Sequence, residues 1–314
     1  MQRIGGDNYL TQNIQSIFEH NIKLLGDMDK AVYYFREQQY DIALGLIANS
    51  IDEIKLSMEA IIMEREYFHL VKMESMLEML NGILAAKKNK DFILLADLLE
   101  LQLINFLIGV QELIMRKEEI LFDEEKYQEN IKALIENSVD LSEDLLKPIN
   151  TAKLLESGYS IEFTYCGHMT LAAENEGMRF YFHTNSKTQT EAFLLARHWY
   201  REDKRRYLIY GFGMGYHIAE LSVLAPHADI IIYEADINVI QLACAFTNVR
   251  KLLAGGKIKL VYDPEFILLK NKLTMRREDE QFCIHYPSFM NIHNQAGKEV
   301  IENELPWINL INAC

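Results

Sequence analysis

The sequence predicts a two-part protein: an all-α helical bundle over residues 1–146, then an α/β domain over residues 151–314. Three observations predict it. Apolar positions in the first half recur at helical steps, a Lys147-Pro148-Ile149-Asn150 break follows, and beyond it short β-type runs give way to strands alternating with helices. A chain of 314 residues commonly holds two domains, and 49% hydrophobic residues suffice for two cores.

In the first half, Ile47, Ile51, Ile54, Met58 and Ile61 recur at alternating four- and three-residue steps, the stripe of a helix packed in a bundle. Asp91 follows the polar turn Lys87-Lys88-Asn89-Lys90 and stands where a cap would start the next helix. That helix carries a stripe of its own, Leu94, Leu98, Leu101, Asn105 and Ile108. Helices around residues 14–35 and 124–135 complete an up-down bundle of four or five members. Met58, Met63, Met73, Met76 and Met79 either fill core gaps or furnish an adaptable groove for a protein partner.

At Pro148 the helix stops. Runs at 159–165, 168–172 and 178–183, joined by polar glycine-bearing links, predict a small antiparallel β region. A helix over 188–200 follows. Then Tyr207 to Tyr210 reads as a strand, Gly211, Gly213 and Gly215 as a turn, Tyr216 to Leu224 as a helix, and Ile230 to Tyr233 as a second strand ending on Glu234. Strand, glycine turn, helix, strand, acid is the first unit of a Rossmann-like sheet. Residues 257–262 and 282–285 supply a third and fourth strand, and the tail over 296–311 returns to helix.

In such a sheet, ligands gather at the carboxyl ends of the strands where their order reverses. The glycine loop (Gly211, Gly213, Gly215), Glu234, Asp263 and the segment around His285 converge there. Glycines let the backbone approach a ligand, and the next helix start offers free N–H groups. Glu234 either holds a ribose diol or caps a neighbouring helix. Asp263 either contacts a base amine or shapes a turn before Pro264. Asp236 suits the N-cap of the helix beginning at Ile237. His217, at a positive helix end that keeps it neutral, together with His285 and Tyr286 at a strand end, stands on the substrate side or in the packed interior. His183, Lys187 and Arg197 are rim candidates that spacing alone does not establish.

The glycine spacing narrows the ligand. A dinucleotide fingerprint requires glycine at the sixth position, where this chain has Tyr216, which disfavours NAD. G-x-G-x-G resembles the first motif of S-adenosylmethionine-dependent methyltransferases, although Ile209 stands where those enzymes carry an acid. The segments YLIYGFGMGYHIAEL (Tyr207 to Leu221), IIIYEADINVIQLA (Ile230 to Ala243), KIKLVYDP (Lys257 to Pro264) and HYPSF (His285 to Phe289) resemble the N-terminal Rossmann-like domain of motility accessory factors, the flagellin glycosyltransferase family. KNKDFILLADLLE (Lys88 to Glu100) resembles, more weakly, a helical module associated with flagellar and surface-protein genes. The first resemblance implies an accessory or ligand-binding role in flagellin or surface-protein modification, without the glycosyltransferase domain. The alternative it leaves open is an active methyltransferase. Either implies a nucleotide-like small molecule, S-adenosylmethionine or a nucleotide-sugar, with flagellin or a modification enzyme as protein partner through the bundle.

A net charge of -14 argues against a nucleic-acid partner, which needs basic patches for phosphates, and against docking on anionic lipid. Residues 1–7 lack the basic and apolar regions of a signal peptide. The apolar run over residues 92–115 is interrupted by Asp97, Glu100, Asn105 and Glu112 and reads as a buried helix. Cys166, Cys244, Cys283 and Cys314 form no C-x-x-C pair and have no histidine at zinc spacing, so no metal site is expected and a reduced cytoplasmic protein is the simplest reading. No nucleophilic triad is visible.

Overall fold

A computed structural model describes residues 7–117, 124–139, 141, 158–175 and 177–305. The expected break at Lys147-Pro148 lies outside these residues, as does the tail beyond Leu305. The chain divides into two compact units, one of residues 1–120 with 163–168, the other of residues 121–162 with 169–314.

The first unit is helical: α1 (Asp7–Arg36), α2 (Tyr40–Met63), α3 (Met73–Lys88), α4 (Phe92–Leu98) and α5 (Ile104–Lys117), the last two joined by a π-helical turn at Leu99–Leu103. Asp91 caps α4 as its position suggests, accepting the Leu94 N–H at 3.0 Å. The stripes are met in part. On α2, Ile47, Met58 and Ile61 are buried and Ile54 packs half-buried against the core, but Ile51 is 44% exposed. From α4 to α5 the core face is Leu95, Leu99, Leu103 and Leu107, while Leu94 and Leu101 are exposed. Four-residue steps sustained across the π-turn keep the first set in line. Of the expected 94/98/101/105/108 stripe, Leu98 and Ile108 pack half-buried at the margin of that core, while Asn105 is exposed with Leu94 and Leu101. Met58, Met76 and Met79 fill the core, whereas Met63 is exposed.

By length and composition Phe92–Lys117 is the one helix among the described residues apolar enough to cross a membrane. Here it is woven into the helical unit: its buried face joins that unit's core, and Asp97 and Glu100 both pair with Arg36, at 2.6 and 3.0 Å.

The second unit opens with α6 (Glu124–Glu136), which was expected to close the bundle. Its Tyr127, Ile131 and Leu134 instead enter the core of the α/β unit. Asn130 ties it down, donating to the carbonyls of Cys244 (2.7 Å) and Thr247 (2.8 Å) and accepting the Arg250 N–H (2.8 Å). A two-residue strand β1 (Ser138–Val139) follows. Next comes a three-stranded sheet of β2 (Ser160–Phe163), β3 (Met169–Asn175) and β4 (Met178–Tyr181), the last two antiparallel, then α7 (Thr188–Trp199).

The main sheet contains β5 (Arg206–Tyr210), β6 (Asp229–Glu234), β7 (Ile258–Tyr262) and β8 (Glu280–Ile284). With β1 its spatial order is β1-β7-β6-β5-β8, and every pairing is parallel. Parallel strands need crossovers. These are α8 (Tyr216–Leu224), then α9 (Ile237–Phe246) with α10 (Val249–Leu253), then α11 (Ile267–Thr274). Two helices follow β8, α12 (Tyr286–Met290) and α13 (Gln295–Glu302). Alternate residues of β5 serve opposite faces: Tyr207 and Ile209 pack under α6, α8 and α9, and Leu208 and Tyr210 under α11 and α13. Coverage of both faces explains why the strands read as continuous apolar runs.

Candidate functional site

The carboxyl ends of β5, β6, β7 and β8 bring the expected residues to one edge of the sheet. Gly211, Gly213 and Gly215 all adopt positive φ, at 102°, 50° and 79°, which side-chain-bearing residues rarely reach. Their close neighbours are the protein's own side chains. A Cβ on Gly211 would lie 2.4 Å from the side chain of Ser288, and one on Gly213 would lie 2.9 Å from His183 Nε2 and 3.1 Å from His285 Cε1.

Glu234, the ribose candidate, is 2% exposed and engaged by backbone. Its Oε2 accepts Phe212 N–H at 2.9 Å, and its Oε1 accepts Ala235 and Asp236 N–H at 2.9 and 3.0 Å. Burial pushes its carboxyl up to about 7, against the pull of these amides, with the charge of Asp236 adding to the rise. Asp263 is also buried and accepts the N–H groups of Ile267 (3.0 Å) and Leu269 (2.8 Å), capping the start of α11. Asp236 caps α9 through Asn238 N–H (2.8 Å) and accepts the hydroxyl of Tyr159, which itself accepts Asn291 Nδ2 at 2.5 Å. The three carboxylates therefore hold the loop, turn and helix start in place.

His217 and His285 meet at this edge, joined by His183, which follows β4. All three are at most 1% exposed, so His183 belongs to the interior and not to a rim. The rings of His217 and His285 stack at 4.3 Å with 7° between planes, and His183 lies 4.9 Å from His285 and 5.5 Å from His217. One ring nitrogen from each falls within 4.8 Å of the other two, the distance range of a metal ligand set. Burial, then His183, holds His217 well below its ordinary range, and burial, then its two histidine neighbours, does the same for His285. Both rings are held toward the neutral form. His217 was expected to be neutral through the helix end, whereas here desolvation leads. Tyr286, 54% exposed, is the solvent-facing member of the expected set.

Sequence reading named each of these histidines as a candidate but not their association, because they are 34 and 68 residues apart on three separate segments of the chain. The one available signal was that Gly213 borders a histidine-bearing helix start.

No family model matches the chain, and no curated protein matches it. Among solved structures, it is similar to MNMC2 from Aquifex aeolicus. The identity is 16%, over 55% of this chain and 59% of that one, with a TM-score of 0.23. The match thus spans less than two thirds of that chain.

Proposed function

We propose that the α/β unit binds a nucleoside-type small molecule at the carboxyl edge of its parallel sheet. The observation that carries this reading is the strand order. Counted from the glycine strand β5, the four long strands run 3-2-1-4 across the sheet, the Rossmann-like arrangement in which ligands sit where the order reverses. That point lies between β5 and β8, beside the left-handed glycine loop and next to Tyr286. The start of α8, directly after Gly215, adds backbone N–H groups suited to a polar or anionic ligand.

Of the uses such a site has, methyl transfer is favoured by the G-x-G-x-G spacing together with this order. In that reaction the loop would align the methyl sulfonium for in-line attack, with catalysis mostly by positioning. Two features weigh toward modest affinity for the methyl donor: Ile209, fully buried where an acid is usual, and Glu234, whose carboxylate already serves three amides. The second reading is an accessory protein of flagellin or surface-protein modification, engaging its partner through the helical unit. It rests on the segments from Tyr207 to Phe289.

Calorimetric titration of the full chain with S-adenosylmethionine, S-adenosylhomocysteine, CMP- and UDP-sugars and NAD tests the proposal. S-adenosylmethionine binding tighter than about 10 μM, near -7 kcal/mol, supports the methyltransferase. Sugar-nucleotide binding alone supports the accessory reading. Silence toward every ligand up to about 1 mM, near -4 kcal/mol, overturns the site.

A further inference from the structure

We propose that His183, His217 and His285 together bind one divalent transition-metal ion, zinc foremost. Three imidazoles from three separate segments of the chain converge, each offering a nitrogen within 4.8 Å of the others. Among the described residues, His217 Nδ1 and His285 Nε2 have no hydrogen-bond partner. Buried polar atoms are seldom left so, and two such lone pairs in one cluster are a costly arrangement for apolar packing alone. A cation satisfies lone pairs that no donor reaches.

In His217 and His285 the opposite ring nitrogens have the outer partners that metal-bound histidines use, and in His183 Nδ1 has one, with Nε2 turned to the cluster. His217 Nε2 donates to the Gly211 carbonyl at 3.2 Å, which leaves Nδ1 as a lone pair. His285 Nδ1 faces Ser288 Oγ at 2.8 Å, an orientation that frees Nε2. His183 Nδ1 lies 3.5 Å from a carboxylate oxygen of Glu191, the carboxylate–histidine pairing of many zinc sites. Its Nε2 accepts Met214 N–H at 3.2 Å, a long bond that the ion would displace. Neutral imidazole suits zinc, copper and nickel better than magnesium or calcium.

Binding asks for small movements. A tetrahedral zinc ion with Zn–N distances of 2.0–2.1 Å sets its nitrogens about 3.4 Å apart. The near-parallel rings of His217 and His285 must turn relative to each other to aim their lone pairs at one point. Gly213 leaves room for this, since a Cβ there would press on both His183 and His285.

The test uses the full, untagged chain, purified without chelators. About one zinc per chain is expected by elemental analysis. After the ion is stripped, titration with Co2+ should give a visible d–d band saturating at one equivalent, which zinc then quenches. Ser288→Ala removes only the outer partner of His285 and should weaken Co2+ binding about 10–100-fold without loss of fold. Wild-type protein with neither retained metal nor a saturable Co2+ band overturns the proposal. So does stoichiometric zinc in a folded His217→Asn/His285→Asn double variant, because the ion is then held elsewhere. If that variant does not fold, the Co2+ titration of the wild-type chain decides.

Discussion

The carboxylate of Glu234 closes onto the backbone amide of Phe212, 2.9 Å away across the carboxyl ends of two neighbouring strands. With Ala235 and Asp236 also donating to it, one buried side chain holds the glycine loop of β5 against the end of β6. The acid that would bind a ribose here serves as a backbone staple.

Glu234→Ala therefore leaves three amides without their acceptor, and the folded state should lose about 2–4 kcal/mol, since each unsatisfied buried donor costs about 1–3 kcal/mol and the three are not additive. Urea unfolding of the full chain measures this. A loss below about 0.5 kcal/mol would show that the loop does not depend on the staple.

Substitution of the loop glycines should be graded by what each Cβ meets. Gly211→Ala combines a φ of 102° with a contact at 2.4 Å to Ser288, and should destabilise by about 2–4 kcal/mol. Gly255→Ala, with nothing within 4 Å and no positive φ, should be neutral or slightly stabilising. Thermal melts of the two variants side by side check the ranking.

Glu280 gives a pH dependence. Its buried carboxylate accepts Lys272 Nζ (2.7 Å), Arg206 (3.1 Å) and the Arg277 N–H (3.0 Å). Burial alone would raise its pKa, but these partners, Lys272 foremost, overcome that and bring it down to about 2. A depressed acid stabilises the fold above its unfolded value, near 4.5, and loses that contribution as pH falls from there toward 2. Glu280→Gln should thus cost about 1–3 kcal/mol near neutral pH and progressively less below about pH 4. Denaturant midpoints at several pH values decide it. A cost that does not change with pH would exclude an ionic role.

The division of the chain can be tested by truncation. A fragment of residues 121–314 retains α6, whereas one of residues 151–314 loses Tyr127, Ile131 and Leu134 from the α/β core together with the bonds of Asn130. At about 1.5–3 kcal/mol per buried side chain, that loss approaches the whole stability of a domain. The longer fragment should melt cooperatively and the shorter should aggregate or stay unfolded. Equal stability of the two would restore α6 to the helical half.

What the sequence determined by itself was local. Helical periodicity marked α1, α2 and the α4–α5 segment, Asp91 and Asp236 announced their caps, and three alternating glycines after an apolar run announced a strand-to-helix turn. These signals lie within a few residues of what they specify, because caps and left-handed turns are governed by neighbouring backbone groups. Tertiary structure alone decided which helix face is buried across the π-turn, which unit receives α6, and which partners Glu234 takes. It alone also assembled His183, His217 and His285 behind the glycine loop. Each of these depends on groups from distant elements competing for one volume or one hydrogen bond, and that competition is settled only when the strands are laid side by side.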